Sequence, residues 1–202
     1  MTKVSAPGLA TYNESYHAFG LPYIFDSTED FYHVMDSSQM HDFFLSSEND
    51  GFVTLTYYTS GARSFYTKNK AIRKPEDLKG LKIRTMTNNL HVEYFTALGA
   101  IPTPMSFSEL FTALQQKTVD GQENPTALIY NNALYEAQKY MSVSEHVFTA
   151  VALNISSDFY NGLPEDYQAA IKEAGREYHG VSAGADHKKK MKAFCLRSKP
   201  PA

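Results

Sequence analysis

The chain has 202 residues, 43% of them hydrophobic and 20% charged, with a formal net charge of −3. That balance fits one large globular domain or two small lobes, and it supplies no global positive field for nucleic acid or an anionic membrane. No apolar run reaches the roughly 18 residues that a bilayer span needs, and the single cysteine, Cys195, has no partner for an internal disulfide.

The first twenty residues read as loop with a short helical piece, broken by Pro7, Gly8 and Gly20. They contain no apolar core of the secretory-signal type, so the chain is expected either to be cytosolic or to lack its true beginning. A compact apolar run, Leu21-Pro22-Tyr23-Ile24-Phe25, precedes Ser27-Thr28-Glu29-Asp30, a helix start for a single helix over residues 31–44. Residues 51–58 are β-branched and aromatic, hence a strand. Thr59-Ser60-Gly61 should break it before a second or crossing strand over 62–67.

Residues 74–80 form a polar turn, and Leu81-Lys82-Ile83-Arg84-Thr85-Met86 alternates as a strand, with Ile83 and Arg84 on opposite faces. Asn88 or Asn89 caps a helix that stops at Gly99, and Ile101-Pro102-Thr103-Pro104-Met105 is an extended sheet-edge piece. Ser106 and Glu109 fit a capping box before the stripe Phe107, Leu110, Phe111, Leu114. Asp120-Gly121 signals a turn. Asn124-Pro125 reads as an N-cap with proline at the first helical position, opening a long helix over 125–140. A strand over 147–155 and a helix beginning at Glu165 follow; beyond Gly184 no periodicity continues. The alternation of strand and helix argues for an α/β architecture with a mainly parallel sheet.

Nothing in the spacing marks an enzyme. The seven histidines are scattered, one cysteine excludes a Cys-rich zinc site, and neither a Gly-rich phosphate loop nor a nucleophile elbow is present. No cofactor is called for. A binding site for an acidic ligand needs less: a well-placed cation, hydrogen-bonding groups and an aromatic wall. Arg84, near the carboxyl end of its strand, is either an exposed strand arginine or a carboxylate reader with a planar fork. Arg63 is either a surface charge or a second cation. Asn124 is an N-cap, a ligand contact, or both. Phe107 falls on the core stripe of its helix but also stands at the helix entrance, where a ring can wall a ligand.

Five segments taken together resemble the DctP-type solute receptors of tripartite ATP-independent periplasmic (TRAP) transporters, which have a periplasmic-binding-protein-like fold of type II. They are Leu21-Pro22-Tyr23-Ile24-Phe25-Asp26, Pro75-Glu76-Asp77-Leu78-Lys79-Gly80-Leu81-Lys82-Ile83-Arg84, residues 98–105, residues 107–115, and Val119-Asp120-Gly121-Gln122-Glu123-Asn124-Pro125. The resemblance implies an α/β, two-lobed fold with mainly parallel sheets, closing on a small organic acid and delivering it to the TRAP permease membrane subunits. It implies that Arg84 pairs with the ligand carboxylate, that Arg63 is the second cation, and that Phe107 and Asn124 line the pocket. The location implied is periplasmic or extracytoplasmic.

On this reading residues 1–61 and 150–180 form a partial first lobe, 62–149 the second lobe, and 185–202 an irregular tail. Family members are about half as long again, so the first lobe is expected to be incomplete and the chain truncated. The alternatives are a non-functional fragment of such a receptor, or an effector-binding domain on the same fold.

Overall fold

The computed structural model describes residues 1–178. The tail expected over 185–202, with Cys195, lies outside the described residues. The chain opens with strand β1 (Thr2–Ser5) and two 3-10 turns, Ala6–Thr11 and Glu14–Gly20. Helices α1 (Thr28–Met35) and α2 (Ser38–Ser46) follow, then the 16-residue strand β2 (Phe52–Thr67). Next come β3 (Lys82–Thr85), α3 (Asn89–Ala97), β4 (Ile101–Pro104), α4 (Phe107–Gln115), β5 (Gly121–Pro125) and α5 (Thr126–Asn131). The 17-residue strand β6 (Tyr140–Ser156) leads into α6 (Ser157–Asn161) and α7 (Glu165–Tyr178).

Six strands form one sheet in the order β1-β6-β2-β5-β3-β4. Pairing within β4-β3-β5 is parallel, because α3 carries the chain from β3 to β4 and α4 returns it to β5. The long strands differ from the sequence expectation of a mainly parallel sheet. β2 and β6 run antiparallel to each other, β2 to β5 and β6 to β1, so the sheet is mixed. The connection from β2 to β3 is a loop with a single 3-10 turn, Pro75–Leu78, and it reverses the chain. Strand β6, reached from β5 through α5, runs parallel to β5 with β2 antiparallel between them.

Three other expectations are corrected. The helix expected over 31–44 is two helices: Ser37 ends the first and caps the second, its Oγ accepting from the Met40 N–H at 3.2 Å. Thr59-Ser60-Gly61 does not end the strand. Gly61 takes φ 94° at a register shift between Thr59 and Ala62, and β2 passes through as a bulge. Asn124 is not an N-cap, and no long helix follows it. It is a residue of β5, Pro125 pairs with Arg63 at the end of the ladder, and α5 lasts only to Asn131, where Ala133 turns left-handed at φ 53°.

The long strand β2 joins separate cores. Near its start, Tyr57 packs with Phe31 and Phe44 in an aromatic cluster; the rings of Phe31 and Phe148 stack at 5.7 Å. Near its end, Tyr66 faces Leu110 and Leu114 of α4, while Phe65 faces Ile83 and Phe95. Helices α4 and α3 thus cover opposite faces of the same strands. This explains why Ile83, Arg84 and Thr85 are all buried, where simple alternation predicted one solvated face.

Candidate functional site

Arg84 is set on β3 beside Gln122 of β5 in the parallel ladder. Neighbours in register share a face, so Arg84, Gln122 and Asn124 lie on the side covered by α4. The capping box of α4 forms as expected: the Ser106 N–H donates to Glu109 Oε2 at 3.0 Å. It fixes the entrance of the helix, so that the Arg84 guanidinium carbon stands 5.9 Å from the centre of the Phe107 ring. Arg84 donates from Nε and Nη2 to the Met105 carbonyl, at 3.2 and 2.8 Å.

The electrostatics of Arg84 are unusual. It is 3% exposed, yet among the described residues no carboxylate pairs with it. Burial, reinforced by the positive charge of Arg63, pulls its guanidinium down to about 10. A buried cation held by a single carbonyl is costly unless an anion joins it. Phe107, at 38% exposure, is no core residue; the buried stripe of α4 is Leu110, Ala113 and Leu114. Asn124 donates its side-chain amide to Gln122 Oε1, and Gln122 donates to Gln138 Oε1 at 3.0 Å, giving a fixed polar row beside Arg84.

Arg63 has a different environment. From β2 it reaches Glu123, whose side chain points to the opposite face from Asn124. Nη2 donates to Oε1 and to the Glu123 carbonyl, each at 2.7 Å, and Nε donates to Oε2. Both residues are buried, at 2% and 0% exposure. His91 Nδ1 lies 3.8 Å from one carboxylate oxygen and His146 Nε2 3.5 Å from the other. Burial pushes the Glu123 carboxyl up, but the Arg63 charge and the contacts of Arg63 and His146 override it and hold the group well below the usual carboxylate range. Burial also drives the His91 imidazole down to about 4, so it is neutral here.

The structure therefore gathers Arg84, Phe107 and Asn124 around one face and sets Arg63 behind them as half of a buried ion pair. Glu123, His91 and His146 escaped the sequence reading. Glu123 lay in plain sight between Gln122 and Asn124, but with Asn124-Pro125 read as a helix start there was no strand to carry it inward. The histidines are far apart in sequence, and only α3 and β6 bring them to one carboxylate.

This fold is the fold of solute-binding proteins. The sugar acid binding protein of Advenella mimigardefordensis, solved with galactonate, superposes with a TM-score of 0.88 at 31% identity, over 97% of this chain and 63% of that one. A TRAP periplasmic solute binding protein of Haemophilus influenzae with bound L-gulonate gives 0.89 at 31% identity, over 98% and 64%. The family model for bacterial extracellular solute-binding proteins, family 7 (DctP), matches residues 1–194, and the chain belongs to that family. The C4-dicarboxylate-binding periplasmic protein DctP of Rhodobacter capsulatus is 30% identical over 193 residues, covering 94% of this chain and 58% of the relative. The chain spans about half the length of the curated relatives it matches. No helix among the described residues is long and apolar enough to cross a membrane.

Proposed function

We propose that this chain carries the ligand-gripping part of a TRAP-type receptor for a small organic acid, with the polyhydroxylated sugar acids as the favoured class. The observation that carries this reading is Arg84, a 3%-exposed cation without a carboxylate partner among the described residues. A ligand carboxylate supplies the missing anion through charge-assisted bonds to the guanidinium. The Phe107 ring walls the position, and Asn124 with Gln122 offers amides to ligand hydroxyls. Arg63 stands behind the site with its fork on the Glu123 carboxylate. Galactonate and L-gulonate in the solved relatives support the sugar-acid class.

The mechanism is binding with closure, not turnover: strands β2 and β6 join a first lobe (1–61 and 150–180) to a second (62–149), and the lobes close on the acid. The loaded receptor then meets the membrane subunits of a TRAP permease, in the periplasm. A thermal-shift screen tests the ligand class. At 100 times the dissociation constant a bound ligand stabilises by about 2.7 kcal/mol. Hexonates or hexuronates should therefore raise the melting temperature by several degrees while the matching neutral sugars leave it unchanged. A response to neutral sugars equal to that of the acids defeats the reading.

A further inference from the structure

A cavity of about 400 Å³ opens on the α3 side of the sheet, away from Arg84. That volume lies within the range of small-molecule pockets, about 300–1,000 Å³. Its floor is apolar, made by Phe65, Leu78 and Leu98, and Arg73 and Lys74 stand at its mouth. Among the described residues neither cation forms an ion pair. Asp77 directs its carboxylate to the backbone N–H groups of Arg73 and Lys74, at 2.9 and 3.2 Å.

The walls are tied in place before any ligand arrives. The Ile72 N–H donates to Ser142 Oγ at 2.8 Å, and the Tyr23 N–H donates to the His146 carbonyl at 2.7 Å. Tyr23 and Glu145 both hold left-handed backbone, at φ 57° and 45°. Non-glycine residues in that region cluster at ligand clamps and switch segments. Tyr23 belongs to the apolar loop before α1, whereas Arg73 and Lys74 precede β3, so an occupant touches chain segments that come before and after β2 in the sequence.

We propose that this cavity is a second ligand site, for a small amphipathic anion such as a medium-chain aliphatic carboxylate, with the tail on the apolar floor and the charge between Arg73 and Lys74. The site is independent of the one at Arg84. The chain contains no tryptophan, and Val143, which lines the mouth, is 66% exposed. A Val143→Trp variant therefore places a single indole there at little cost to folding. Titrating it with octanoate should give a saturable change in emission. In the Arg73→Glu, Lys74→Glu background the apparent affinity should fall at least tenfold, octanol should bind at least tenfold more weakly than octanoate, and Arg84→Ala should leave the titration unchanged. A response that does not saturate, equal binding of octanol, or loss of the signal in Arg84→Ala would overturn the proposal. Far-ultraviolet circular dichroism of each variant separates lost binding from lost fold.

Discussion

Arg63 and Glu123 meet side by side beneath the sheet, two nitrogens of the guanidinium on the two carboxylate oxygens. The pair settles which of the two sequence-predicted cations stands without a counter-charge: Arg63 is neutralised inside the protein, Arg84 is not.

Breaking that pair leaves a buried charge alone. Removing one partner of such a pair costs about 3–5 kcal/mol, whereas replacing both by apolar groups of similar volume is often neutral. Arg63→Met or Glu123→Leu alone should lower stability by that amount in urea unfolding, and the double variant should recover most of the loss. Additive losses would mean that the two side chains act separately.

The His91 imidazole gives stability a pH dependence. Its folded value, about 4, lies below the ordinary 6.5, so the unfolded chain takes the proton first. The contribution is complete above 6.5 and is lost as pH falls from 6.5 toward 4. By linkage the loss at pH 5 is about 2 kcal/mol. Glu123, held below its ordinary value, weakens the fold in the same direction at still lower pH. Urea midpoints at pH 7.5 and 5 should differ accordingly, and His91→Gln should flatten the difference. Identical midpoints in the parent chain contradict it.

Gly175 tests a close packing contact. In a helix, alanine is better than glycine by about 1 kcal/mol. At this position, however, a Cβ would stand 2.6 Å from the Leu55 carbonyl oxygen, which belongs to β2. Gly175→Ala should therefore destabilise, by about 1–3 kcal/mol, against the propensity trend. A stabilised variant would show that α7 shifts freely on the sheet.

Phe107 separates binding from folding. Its ring is partly exposed and lies over Arg84, so Phe107→Ala should leave the urea midpoint nearly unchanged. It should weaken acid binding about tenfold, the scale of a lost ring–cation contact of about 1–2 kcal/mol. A large drop in stability with unchanged affinity would return Phe107 to the core.

Much of this arrangement was legible residue by residue. The capping box at Ser106 and Glu109 forms, Asn88 caps α3 by accepting from the Leu90 N–H at 2.9 Å, and Ile83 and Arg84 point to opposite faces as alternation requires. Asn124-Pro125 misled because its two signals compete. Proline suits a helix start, but it also pushes the preceding residue into extended backbone; here the ladder between β5 and β2 took that second option. The break at Ser37 was a cap within the polar stretch Asp36-Ser37-Ser38-Gln39, between apolar residues that read as one helical face, and β1 is too short to announce itself. The Glu123 cluster was illegible for a different reason: its members come from β2, α3, β5 and β6, and only the tertiary fold makes them neighbours.

Isothermal titration of this chain with galactonate, before and after substitution at position 84, tests the role of Arg84 most directly. Saturable binding should fall at least 100-fold in Arg84→Ala, and Arg84→Lys should recover little, because a point charge cannot replace the two parallel bonds of the fork. An unchanged dissociation constant in Arg84→Ala would contradict the assignment.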